Sequence, residues 1–403
     1  MNNTAVKGGK LAAVLAGLLL IYKTRPYFFW SGIFLNNYFN AIITIIIGLL
    51  FFLNRKKMSG ADRILMLLFG TIIISYPFVG DQNFNVFISI LPLLFIPFAT
   101  DEFNNSVYKS YLNFYCILVG LALFVWVFAI IGAIPPMKVI KALNKLKDYG
   151  YYVYPFLVRG TNDGIRFSGP FDEPGVIGTI SGILLCCQKN FKSRQSLILL
   201  ITGLCSISLF FYLIIVAYYS YSQLSAKGKM KNIFVYAIVA GLALIIIISS
   251  PLLNEMIISR LVWDPDSGRF AGDNRTAAYA WEVLDQIKGT HQFWFGIKDK
   301  WEFQEEVAFS SSFINVVIMN GALFFGLILI FYIGYAFVYK VTISGFLFFL
   351  FVLIATIYQR PYIFNPDFIF LWVYLARKES LNENMSLHSR FLKSKVILTK
   401  TAF

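Results

Sequence analysis

Apolar runs of bilayer length follow one another along nearly all of the 403 residues, broken by short polar joints and two long polar stretches. A helix needs about 20 such residues to cross hydrocarbon, whereas an outer-membrane strand alternates over about ten. The runs predict helical spans near 11–22, 38–54, 62–79, 86–99, 110–134, 176–188, 231–250, 321–339, 341–357 and 367–376. Residues 196–224 are too many for one untilted crossing, and a turn near Ser206 to Ser208 divides them into a hairpin of two short helices. About twelve spans result, all helical because lipid offers the backbone no hydrogen-bond partner. The expected fold class is an all-α polytopic membrane protein with two large extracytoplasmic loops.

Charge supplies the orientation. With 58% hydrophobic and 14% charged residues there is no room for a soluble catalytic domain of ordinary size. The net charge of +14 sits in short clusters at span ends: RKK at 55–57, KNFKSR at 189–194, KGKMK at 227–231 and RK at 377–378. That is a positive-inside pattern and not a nucleic-acid footprint. It divides the chain into N-terminal spans (1–134), a first outer loop (135–175), central spans (176–250), a second outer loop (251–311), C-terminal spans (312–376) and a basic cytoplasmic tail (377–403). Both termini are expected inside. Lys7 and Lys10 before LAAVLAGLLLIY imitate a signal peptide, but no small-residue cleavage site precedes Lys23, so this is read as the first span. Cys116, Cys186, Cys187 and Cys205 all fall in apolar segments, where packing is their expected role.

Both outer loops far exceed a median connection and hold most of the acids and the remaining arginines. The first opens with PPMKVIKALNKLKDYG, whose apolar positions Met137, Val139, Ile140, Leu143 and Leu146 suit an amphipathic interfacial helix, either an anchor or a binder of anionic headgroups. YYVYPFLVRGTNDG follows, either an interfacial aromatic belt or a platform for sugar rings, and its position at the membrane edge favours the belt. RFSGPFDEPGVIG, residues 166–178, then crowds an Arg, two acids and two prolines against a span. Arg159 and Arg166 offer planar donor forks to phosphate oxygens. Asp172 is read as a helix-capping acid; Glu173 is either a cap or a general base. In the second loop, DNRTAAYAWEVLDQIKG predicts a helix capped by Asp273, with Arg275 in its first turn. A cation there calls for an anion, either a bound phosphate or a nearby acid. His291 is the one histidine outside the tail, and no metal-ligand spacing appears. RPY recurs at Arg25 and Arg360, read as coincidence.

Arg166, the SGPF turn, the acid-Pro-Gly before a span and the series Arg275, Trp281, Gly296 together resemble the O-antigen polymerase (Wzy-type) family, whose relatives are the O-antigen ligases. The layout is similar throughout: about twelve spans, two large loops, and a helical hairpin between basic anchors. Some members carry an Arg, fifteen residues and a Gly in each loop. Arg166 to Gly182 fits, whereas the same distance from Arg260, Arg269 and Arg275 reaches Thr276, Asp285 and His291. Ligases typically carry a His where this chain has Ser310 to Ser312, which favours a polymerase.

The resemblance implies a C-type membrane glycosyltransferase fold, without metal or other cofactor, in the bacterial inner membrane. It would join undecaprenyl-diphosphate-linked oligosaccharide repeats at the periplasmic face. Arg166 and Arg275, then Arg159, Arg269 and Arg360, would stabilise the leaving diphosphate. Glu173 would be the base, with His291 in reserve. Expected partners are the lipid-linked substrate, membrane lipid and a polysaccharide chain-length regulator, with no nucleic acid. The rivals are a lipid-linked oligosaccharide flippase and an O-antigen ligase. Transporters generally place ionisable groups at midplane, and the predicted span interiors here carry almost none.

Overall fold

The computed structural model describes residues 2–30, 34, 36–76, 90–141, 150–161, 164–188, 192–225, 249, 262–265, 269–270, 278–297, 313–339, 342–360 and 362–378. The chain is mostly helical: α1 (Asn2–Lys23), α2 (Asn37–Leu53), α3 (Gly60–Ser75), α4 (Asp101–Ile130), α5 (Pro174–Cys186), α6 (Arg194–Cys205) and α7 (Leu209–Ser225). After the second loop come α8 (Ala278–Ile287), α9 (His291–Phe295), α10 (Phe313–Asn320), α11 (Ala322–Tyr339), α12 (Ile343–Gln359) and α13 (366–378). Among the described residues α4 and α11 are long and apolar enough to cross a bilayer, and α2, α5, α6, α7 and α12 are shorter apolar helices. Leu49, Ile64, Leu67, Ile117, Phe124 and Phe337 face outward and exposed. Water would penalise such a surface, whereas acyl chains match it.

The helices follow the hydropathy pattern closely at 38–54, 321–339 and 341–357. The hairpin turns at Ser206 to Ser208, as the excess length of its run requires. Two elements depart from expectation. Within the expected span 86–99, Leu91–Phe98 forms a 3-10 helix, and residues 86–89 lie outside the described residues. Pro92 and Pro97 supply no amide hydrogen, and Gly48 of α2 lies so near that an added Cβ would come 2.2 Å from the Cβ of Pro92. In place of a span starting at 110, α4 begins at Asp101, because Thr100 accepts from the Phe103 amide and Asp101 and Glu102 favour the dipole of the first turn. The predicted span at 231–250 lies, residue 249 apart, outside the described residues.

The first loop does not open with an interfacial helix. Lys138–Lys141 forms β1, antiparallel to β2 (Gly150–Tyr154), which pairs in turn with β3 (Leu157–Gly160). Strand pairing wins because β2 presents a backbone edge and a buried apolar face: Ile140 packs on a cluster of Trp30, Tyr151, Val153 and Val158. Residues 142–149 of that expected helix lie outside the described residues. In the second loop Trp263–Asp264 (β4) pairs with Arg269–Phe270 (β5). The expected helix is described as α8, and Asp273 with its cap lies outside the described residues.

Basic clusters far apart in sequence gather at one end of the bundle. Arg377 donates to the Ala99 carbonyl (2.9 Å) and pairs with Asp101; Lys378 donates to the carbonyls of Cys186 and Gln188, the latter at 3.2 Å. Lys56 pairs with Asp62 at 2.8 Å, and both bond the Tyr339 hydroxyl. The β-sheet, the 166–173 segment and the hairpin turn lie at the opposite end.

At that opposite end Gly296 (φ +83°) and Gly321 (φ +85°) hold α9 against the α10–α11 joint. An added Cβ at Gly321 would come 2.2 Å from the Trp294 carbonyl oxygen, and one at Gly296 would come 2.6 Å from that of Met319. Both obstacles are backbone. Gly321→Ala is therefore expected to cost roughly 2–4 kcal/mol through left-handed strain plus overpacking. Thermal melting of the detergent-solubilised variant tests this, and an unchanged midpoint would refute it.

Candidate functional site

Residues 166–173 are less polar than their sequence suggests, because the middle of the segment is a buried plug. Phe167 stacks edge-on to Trp126, and Phe171 lies along Tyr115. The turn is tied on three sides: the Phe167 amide donates to the Cys205 carbonyl (2.9 Å), the Val158 amide to the Gly169 carbonyl (2.8 Å) and the Tyr27 amide to the Pro170 carbonyl (2.8 Å). Gly169 sits at φ +59°, and a Cβ there would meet Ile177 at 2.9 Å. Sheet, hairpin and first outer connection thus converge on one turn, which fixes what flanks it.

Arg166, on one flank, is half-buried and donates from Nε to the Ser206 carbonyl at 3.3 Å, at the hairpin turn. On the other flank Glu173 is the N-cap residue of α5 by backbone, but its side chain makes no capping bond. Its Oε2 instead accepts from Arg360 Nη2 at 2.6 Å. Arg360 is only 1% exposed, and its Nη1 donates to the Tyr362 hydroxyl at 3.1 Å. Burial opposes the guanidinium charge, but Tyr362, Glu173 and Asp172 outweigh it and raise its pKa above the ordinary arginine value. Arg360 is a permanently charged strut between α5 and the end of α12.

Beside this pair lies a cavity of about 380 Å³, lined among others by Lys23, Arg25, Asn40, Asp172, Tyr362 and Asp367. Lys23 ends α1 and donates to the Asn40 carbonyl at 2.9 Å. Arg25 follows in left-handed backbone (φ +54°), which closes α1 where a glycine would usually stand, and its carbonyl accepts from Trp30 Nε1 at 2.9 Å. Asp367 enters from the first turn of α13, fully buried. Both RPY triplets reach this place, since Arg25 of one and Tyr362 of the other line the cavity and the Tyr27 hydroxyl donates to the Tyr154 carbonyl at 2.9 Å.

The predicted site residues are only partly assembled. Glu173 and Arg360 come together, with Asp172 on the cavity wall. Glu173, bonded to a guanidinium, is a poorer proton acceptor than a free carboxylate, which weakens its expected role as base. Arg159 spends its fork on the Gly164 carbonyl (2.8 and 2.5 Å). His291 is exposed at the start of α9 and is not among the cavity residues. Arg269 is described through its backbone alone, paired with Asp264, and Arg275 lies outside the described residues. Among the described residues no three His, Cys, Asp or Glu side chains group as metal ligands would.

Lys23, Arg25 and Asp367 escape a reading based on the loops, because each stands at the end of a span where a charge passes for an anchor. The available signal was the doubled RPY and an acid placed just inside an apolar run. Set against protein-family models, curated proteins and solved structures, the chain matches none.

Proposed function

We propose that this protein is an O-antigen-type polymerase: a multi-pass inner-membrane glycosyltransferase that joins undecaprenyl-diphosphate-linked oligosaccharide repeats at the periplasmic face. The observation that carries this is the cavity of mixed charge at the bundle end opposite the basic anchors. Glycosyl transfer from a lipid diphosphate needs cations for the leaving group, a carboxylate for the acceptor hydroxyl, and polar or aromatic walls for sugars. Lys23 and Arg25 supply the first, Asp172 and Asp367 stand for the second, and Asn40, Tyr151 and Tyr362 for the third. Arg166 and Arg275 remain candidates for the diphosphate from the loop side. By the positive-inside pattern the anchor end is cytoplasmic, which puts the cavity outside.

Product analysis with one defined lipid-linked repeat, using the protein in nanodiscs, is the test. Wild type is expected to give a ladder of longer glycans, and Arg25→Ala to lose about 10²–10³-fold in turnover, as when an oxyanion-stabilising group is removed. Translocation of the repeat without any elongation would replace this proposal by a flippase.

A further inference from the structure

Asp367 is the one feature of the cavity that structure alone does not account for. It is 0% exposed, and no side chain among the described residues hydrogen-bonds its carboxylate, which has only the amides of Asp367 and Phe368 at the start of α13 beside it. An acid in a first helical turn gains from the helix dipole, by about 0.3–1 kcal/mol when exposed, but a buried charge without a partner costs several times that. A short polar side chain at the helix start would serve the dipole without that cost. Lys23 and Arg25 attract the Asp367 carboxylate from the cavity wall, but neither donates a hydrogen bond to it, and the Lys23 ammonium donates instead to the Asn40 carbonyl. Glu173, by contrast, is engaged with Arg360 at 2.6 Å. At this end of the bundle Glu173 holds a strut, whereas Asp367 lies in the cavity wall with no side-chain donor.

We infer that Asp367 is the catalytic carboxylate of the transfer, accepting the proton of the acceptor sugar hydroxyl as that hydroxyl fills the cavity; this rests on the glycosyltransferase proposal. The acceptor oxygen forms its bond to the anomeric carbon while its proton passes to the Asp367 carboxylate. The bond from the anomeric carbon to the lipid diphosphate breaks, its electron pair leaving on the diphosphate oxygen, whose new charge Lys23 and Arg25 face. Release of the lipid diphosphate then lets the protonated acid return its proton to water. Glu173 acts through Arg360 as a positioning residue.

The elongation assay with the defined lipid-linked repeat is run on wild type, Asp367→Asn and Asp367→Glu. For the Asn variant kcat is expected to fall about 10²–10⁴-fold with KM within about threefold, and Asp367→Glu is expected to keep more activity than Asn. The Asn variant should melt at or above the wild-type temperature, because a buried charge with no side-chain donor has been removed. Turnover of Asp367→Asn within about fivefold of wild type overturns the assignment. So does a lowered melting temperature or a failure to fold, either of which would make the carboxylate a structural element. Wild-type protein that does not elongate refutes the glycosyltransferase proposal itself, before any variant is compared.

Discussion

Arg360→Ala is expected to destabilise the protein by about 3–5 kcal/mol, because it strips the partner from Glu173 inside the bundle end. The guanidinium is 1% exposed and the Glu173 side chain 29%, so the lost cation leaves a carboxylate that water reaches only from one side. The variant also loses the bond to the Tyr362 hydroxyl, and with it the link that sets one wall of the cavity. Adding Glu173→Gln should restore part of the loss, since the double variant buries no orphan charge. Melting temperatures of the two single variants and the double close the cycle, and strictly additive effects would show that the pair does not couple. Activity should not return with stability, because Arg360 also orders the residues that lead into Asp367.

What the sequence made legible follows from how local each signal is. Bilayer-length runs, the surplus length of 196–224 and the basic clusters are properties of contiguous residues, so α2, α11, α12 and the hairpin turn at Ser206 to Ser208 emerge where the pattern puts them. The failures have non-local causes. Residues 137–147 fit a helical period, yet Lys138–Lys141 forms a strand because β2 offers a register with Val153 and Tyr151 that the segment alone cannot reveal. The start of α4 has a local signal: a Thr followed by two acids is a helix start even when the next residues mix polar and apolar side chains, as Phe103 to Leu112 do.

The candidate site was harder to read for the same reason. Its cavity draws on the end of α1, on Asp172 before α5 and on the link into α13, segments far apart in sequence. By hydropathy Lys23 and Asp367 are simply the polar ends of spans. The polar residues of the 166–173 segment have separate contacts: Arg166 ties the hairpin turn, Glu173 holds Arg360, and Asp172 lines the cavity. Its centre, with Phe167 and Phe171 buried, is architecture.

At the other end of the bundle Asp62→Ala is expected to cost about 4–6 kcal/mol, the sum of a broken buried ion pair and a lost helix cap. Asp62 is almost fully buried in the first turn of α3, where its Oδ2 accepts from the Ser59 amide (3.0 Å) and hydroxyl (2.8 Å) while the Ser59 hydroxyl accepts from the Asp62 amide (3.2 Å). Its Oδ1 accepts from Lys56 at 2.8 Å and from the Tyr339 hydroxyl, so one carboxylate joins the α2–α3 connection to the end of α11. Two smaller variants separate the contributions. Ser59→Ala removes the reciprocal cap and should cost about 1 kcal/mol. Asp62→Asn keeps an acceptor for the Ser59 amide but loses the charge opposite Lys56, and should fall between the other two. Melting temperatures in one detergent provide the order. If Asp62→Asn matches wild type, Lys56 gains nothing from the charge and the carboxylate serves only as a cap; if it matches Asp62→Ala, the ion pair to Lys56 accounts for nearly the whole effect. The predicted order requires both, because Asp62 is shared between a local helix start and a contact some 280 residues away in sequence.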